Sequence, residues 1–421
     1  MKSEQSTGFL KFILRELKPK GKIITPFNII SALTILVAAV ILVFRFKDGL
    51  GSVIHGSQDA PWGLWINFNV ITGVAFAGGG FVVTFMVYIL GLEKYRPIVR
   101  ATVLYALLSY MFYAGALLLD LGRPWKVINP IIGNSFGISS VLFLVAWHFL
   151  LYMGSLFAEF FPTIAEWANL KRLRKVFASM TLAAVIFGIA LSTLHQSGLG
   201  ALFLMAKPKI HPLWYSEFIP ILFFISSIFA GLSLVIIMET INQKVFWRNM
   251  SFMHKSSHRN IVLGLARVSA VSMFVYFFMT ILVFLHGKNL AYLNTSWGYW
   301  YMMEILGFVL LPCMMFLYGY RQRQLTAVRI AAIMSVVGII LNRMNVSTIA
   351  YQWYAHSIHF PTWMEIVVSV AVIFVQILVF RWIIRRMPVY RESPSWVTGE
   401  EQKKSFKQKE ERRKKWMVSA G

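Results

Sequence analysis

The chain has 421 residues, 57% of them apolar and 14% charged, and its mean hydropathy of +0.64 excludes a water-soluble globular domain. Its formal charge of +24 would suit nucleic acid if the cations were pooled, but they lie in short clusters between apolar runs, so no nucleic-acid partner is expected. The single cysteine, Cys313, excludes an internal disulfide, a cysteine-ligated iron-sulfur cluster and a Cys-x-x-Cys-His haem attachment in this chain.

A cationic segment, residues 1–24, precedes ten apolar runs at about 25–45, 66–91, 100–119, 137–159, 176–195, 216–238, 261–286, 298–318, 328–346 and 363–384. Each has or approaches the roughly 20 residues that cross a ~30 Å hydrocarbon core as a helix. An open sheet cannot satisfy its backbone in lipid. The predicted fold is therefore an all-α integral membrane protein with ten transmembrane helices spanning residues 25–385. The first run lacks a small-residue cleavage pattern and reads as a retained helix.

Alternate connections carry the cations: Lys94, Arg96 and Arg100; Lys171, Arg172, Arg174 and Lys175; Lys244, Arg248, Lys255 and Arg259; and Arg321, Arg323 and Arg329. The intervening connections are sparse, so the positive-inside rule places both termini in the cytoplasm, which an even number of spans requires. Residues 386–421 form a basic cytoplasmic tail suited to anionic lipid.

On this topology the third run ends outside at Asp120-Leu121-Gly122-Arg123, and the fifth at His195-Gln196-Ser197. Trp62, Trp65, Asn67 and Asn69 enter the second run from the same side, where Glu304, Arg343 and Glu365 also fall. Ionisable groups are costly at such depths and mark pathways or ligands. A histidine titrating near neutral pH, held by a carboxylate, suits the two-proton chemistry of a quinone head group. Interfacial caps and ion pairs account for Asp120 and Arg123 equally well, and an aromatic belt accounts for Trp62 and Trp65. Glu304 and Arg343 read as a structural pair or a proton path. Tyr105, Ser109 and Tyr113 repeat at helical spacing as a hydroxyl face, read first as interhelical hydrogen bonding and alternatively as part of a proton path. His148 is read as the only histidine near mid-membrane. With His195 and His286 at outer ends, and His254 and His258 in a basic inner loop, neither a haem nor a metal site is expected. Gly78-Gly79-Gly80 reads as a close helix contact, and Pro220 and Pro312 as kinks near helix ends.

Pro61-Trp62-Gly63-Leu64-Trp65-Ile66, the glycine-rich second run, Asp120-Leu121-Gly122-Arg123, His195-Gln196-Ser197, His211-Pro212-Leu213-Trp214 and Phe360-Pro361-Thr362-Trp363 resemble, in order and spacing, the NrfD/PsrC family and its ten-helix HybB-like branch. The resemblance covers roughly residues 25–385. It implies two four-helix bundles, helices two to five and six to nine, with the first and tenth outside. It further implies a quinone- or quinol-interacting subunit of a respiratory oxidoreductase in the prokaryotic cytoplasmic membrane. Such a subunit takes a quinone such as menaquinone as substrate, carries no haem or iron-sulfur cluster itself, and is not active alone. An extracytoplasmic ferredoxin-like iron-sulfur subunit is the implied partner, with a multihaem cytochrome c or a catalytic redox subunit beyond it. On this reading His195 and Asp120 are catalytic, and Trp62, Asn69, Arg123, Gln196 and Ser197 bind the quinone. Tyr113, Glu304 and Arg343 form a proton path or a structural pair. Asn69 departs from relatives that carry a carboxylate there, and an amide takes up no proton at physiological pH. The other readings are a membrane anchor without quinone chemistry and a secondary transporter.

Overall fold

The computed structural model describes residues 11–12, 14–56, 62–132, 140–351, 353–354 and 360–397. Pro61 and the basic tail beyond residue 397, both used above, lie outside them. Among the described residues ten helices are long and apolar enough to cross a membrane. They are α1 (Pro26–Asp48), α2 (Trp65–Ile89), α3 (Arg96–Asp120), α4 (Val141–Trp167), α5 (Lys171–Ala201), α6 (Ile219–Phe246), α7 (Phe252–His286), α8 (Ser296–Arg321), α9 (Leu325–Ile349) and α10 (Trp363–Arg386). The chain is a multi-pass integral membrane protein. Most helices overrun their apolar runs, because a helix satisfies its own backbone in lipid and in the interface alike. Thus α7 begins at Phe252, which places His254 and His258 on a helix and not in the inner loop expected for them.

Helix α2 packs against α3, α5, α6 and α9; α4 packs on α3 and α5; α7 packs on α6 and α8; and α9 closes on α6 and α8. Helix α1 lies on α10, which also touches α3. The glycine run does serve a close contact: a Cβ on Gly231 of α6 would sit 1.9 Å from the Gly79 nitrogen of α2. Only hydrogen side chains let these two backbones meet.

Four stretches among the described residues are π-helical. They are Trp65–Thr72 and Phe85–Ile89 in α2, Met303–Leu310 in α8 and Asn345–Ile349 in α9, an arrangement frequent at functional sites. Pro312 lies two residues beyond the end of the π-helical stretch of α8. Pro220 makes no kink; it sits in the first turn of α6, where a helix has no use for its missing N–H.

Candidate functional site

The polar residues singled out above gather at one end of the helices but divide into three groups. In the first, His195 of α5 is 2% exposed, and its Nδ1 lies 3.1 Å from the hydroxyl of Tyr110 of α3. The rings of Tyr110 and Phe149 stand 5.4 and 5.9 Å from the imidazole. Gln196 is equally buried and donates from Nε2 to the Val74 carbonyl of α2 at 2.9 Å. Ser197 is half-buried beside them. Engagement of Nδ1 leaves Nε2 for a ligand.

In the second group the fold does not bring Asp120 to His195. The charged neighbours of Asp120 are Glu365 and Arg45, and its Oδ1 is buried without a hydrogen-bond partner. Arg45, 3% exposed at the end of α1, donates through Nε to the Leu119 carbonyl at 2.6 Å and through a second nitrogen to the Leu121 carbonyl. It thus satisfies the C-terminal carbonyls of α3. Glu365 closes a capping box with Thr362 at the start of α10 and accepts the Leu64 N–H at 2.6 Å. Trp65 donates to the Glu365 carbonyl at 3.1 Å, and Asn69 to Ser369 at 3.3 Å, so α10 is fastened to the π-helical start of α2. Trp62 is half-buried against Phe203 and Tyr351. Arg123 is exposed at the surface, apart from the carboxylate with which it was read.

The third group centres on Glu304, 1% exposed. It accepts from Trp214 at 2.7 Å, Asn342 at 2.7 Å and Asn345 at 2.5 Å. Arg343 joins it through Asn342, whose Oδ1 accepts from the guanidinium at 3.0 Å. The same guanidinium donates to Ser226 at 2.7 Å and lies 3.5 Å over the Phe223 ring. Glu304 and Arg343 are therefore linked through a shared amide, beside a cavity of about 40 Å³, room for one or two waters. Tyr113 stands elsewhere, in the wall of an apolar cavity of about 360 Å³ shared by α2, α3, α6 and α10. Its face of α3 is tied to α10, since Gln376 donates to Ser109 at 2.9 Å.

Residues 52–355 match the family described as polysulphide reductase, NrfD. The chain belongs to that family. A protein of Nitratidesulfovibrio vulgaris is 39% identical over 89% of this chain and 97% of its own length. The probable Ni/Fe-hydrogenase 2 b-type cytochrome subunit of Escherichia coli is 27% identical over 88% of this chain and 93% of its own, in agreement with the HybB-like branch. A selenate reductase subunit of Mesobacillus selenatarsenatis is 25% identical over half of this chain and 54% of its own.

The hydrogenase relative corrects one expectation. A b-type cytochrome is a haem protein, so an NrfD chain of this branch is not to be read as lacking haem. That expectation rested on one deep histidine; the fold sets His148 of α4 within electrostatic range of His195 on the neighbouring α5. The His148 Nδ1 is buried with no hydrogen-bond partner. Two imidazoles on adjacent helices are the donor type a b-type haem uses.

Sequence spacing missed Tyr110, which is one residue off the Tyr105-Ser109-Tyr113 face, and Arg45, which lies at the end of the first apolar run with no motif around it. Trp214 was visible as part of a motif, but nothing in its spacing pointed to Glu304.

Proposed function

We propose that this NrfD chain is the quinone- or quinol-reactive membrane subunit of a respiratory oxidoreductase in the prokaryotic cytoplasmic membrane. Both termini are cytoplasmic, and the end bearing Asp120 and His195 faces an extracytoplasmic ferredoxin-like iron-sulfur subunit. The relatives named as hydrogenase and selenate reductase subunits support a redox-complex partner. The helix contacts support two bundles, α2–α5 and α6–α9, with α1 and α10 paired outside.

The observation that carries the quinone reading is the buried Tyr110–His195 pair beside Gln196. Quinol oxidation releases two protons and two electrons, and quinone reduction takes up the same. The His195 imidazole exchanges one proton with a quinone oxygen through Nε2, while the Tyr110 hydroxyl holds the tautomer from Nδ1. Gln196, Ser197, Asn69 and Trp62 position the head group. Asp120, with Arg45 and Glu365 as charged neighbours, handles protons at the same end, and exposed Arg123 steadies the approach to the site.

In the assembled complex, H195A is expected to lower quinone-linked electron transfer by about 10² or more while electron delivery to a soluble dye at the partner subunit persists. Unchanged quinone-linked transfer in H195A would overturn the assignment. A wild-type complex that neither binds nor reacts with quinone would leave a membrane anchor, and solute uptake by the isolated chain a transporter.

The histidine pair favours a second reading. His148 and His195 would hold a haem, which would supply one-electron transfer within the membrane. A reduced-minus-oxidised absorption spectrum separates the two, because only this reading makes H148A abolish a haem band.

A further inference from the structure

At the opposite, lysine- and arginine-rich end, Glu239 of α6 meets His254 and His258 of α7. The two histidines are four residues apart and share a helix face. All three residues are 1–3% exposed, and one ligand atom from each lies within 4.8 Å of the others. Glu239 Oε2 is 2.8 Å from His254 Nε2 and 4.0 Å from His258 Nδ1. The second carboxylate oxygen accepts from the Tyr390 hydroxyl at 3.0 Å, and that hydroxyl accepts from Asn242 at 2.8 Å.

Protein hydrogen bonds satisfy both oxygens of Glu239 and the Nε2 of His254, but not the other ring nitrogens of the cluster. His254 Nδ1 and both ring nitrogens of His258 are buried without partners. A buried polar group left unpaired costs about 1–3 kcal/mol, and in a native protein a bound water or ion is one way to remove that cost. Two histidines at i and i+4 with a carboxylate from a neighbouring helix make a three-ligand set of nitrogen and oxygen, the set used for Zn²⁺ with a fourth position open. The carboxylate is already oriented from behind by Tyr390, as ligands of such ions usually are. Phe252 and Met253 at the start of α7 are exposed, so the cluster lies close to the surface from which an ion would enter.

We propose that Glu239, His254 and His258 bind one divalent first-row transition ion, Zn²⁺ by preference, which staples α6 to α7 at the basic end. Glu239 Oε2, His254 Nε2 and His258 Nδ1 are its ligands, and the 2.8 Å hydrogen bond gives way to two bonds to the metal.

The test uses the full-length chain in its purified complex, stripped with a chelator and reloaded with Zn²⁺ alone, then with Co²⁺ as a spectroscopic probe. Elemental analysis after desalting should give one equivalent of zinc per chain and a tetrahedral Co²⁺ absorption band. H258Q should bind at least tenfold more weakly, and Y390F about tenfold, through its hold on the carboxylate. E239Q keeps the neighbouring hydrogen-bonding groups and provides a folded check should H258Q not assemble; it should lose the metal and the band. H286A, at the other end of α7, should keep both. Absence of stoichiometric zinc in the wild type, or unchanged affinity in H258Q or E239Q, would overturn the proposal.

Discussion

His195 and His211 show how differently two buried histidines of this chain are used. His195 keeps one ring nitrogen free of protein bonds, the condition for exchange with a ligand. His211, in the connection between α5 and α6, is enclosed by the rings of Trp214, Tyr292, Trp297 and Trp353 at 4.8–5.6 Å. Its Nδ1 accepts the Leu213 N–H at 3.2 Å, which requires that nitrogen to be unprotonated. Burial pushes its pKa from 6.5 down to about 4. The unfolded chain therefore binds this proton first as pH falls. Stability from this residue is level above about pH 7, falls between about 6.5 and 4, and levels again below. In H211N, thermal melting of the detergent-solubilised protein should lose less between pH 7 and 4.5 than in the wild type. An equal loss in both would place the acid sensitivity elsewhere. For His195, the companion variant Y110F should keep the fold and lower quinone-linked turnover less than H195A does, because it removes only the group that fixes the tautomer.

At the level of elements, the polar groups of two sites occupy π-helical winding: Asn67 and Asn69 in α2, and Glu304 and Asn345 in α8 and α9. The wider turn frees backbone groups and shifts side chains out of the 3.6-residue repeat, so sequence periodicity could not place them. Pro312 was legible as a disturbance of α8, but not the form of that disturbance. Helix contact was more legible. Gly78-Gly79-Gly80 announced a close approach, and the fold supplies Gly231 as its counterpart. A methyl group at Gly231 must part α2 from α6, so G231A should cost about 3 kcal/mol, the upper end for overpacking. Gly115, where an added Cβ meets nothing within 4 Å, is the control. G115A should melt within about 0.5 kcal/mol of the wild type, as surface substitutions do. Equal melting of the two variants would remove the glycine contact as a determinant of helix packing.

Across the whole molecule, α1 and α10 bind the rest through polar links as well as apolar ones. Arg45 closes the end of α3, Glu365 caps the approach to α2, and Gln376 reaches Ser109. The cationic connections all lie at one end, where Arg100 and Arg174 also converge on buried Glu166 at 2.8 and 3.4 Å. That asymmetry predicts orientation. Reporters fused after residue 397 and before residue 11 should both read as cytoplasmic, with fluorescent protein bright and alkaline phosphatase inactive. The opposite pattern would invert the molecule and move the His195 end to the cytoplasm.

The sequence by itself determined the number, order and approximate limits of the helices, and that the chain lives in a membrane. Lipid imposes this in one dimension, since about 20 consecutive apolar residues must close their own hydrogen bonds. It also carried the motifs that mark the family. Only the tertiary structure decided which polar groups meet: His195 with Tyr110, Asp120 with Arg45 and Glu365, Glu304 with Trp214, and Glu239 with two histidines read as a loop. Those meetings join residues on different helices, and they depend on how the helices are rotated and packed, which spacing along the chain does not encode.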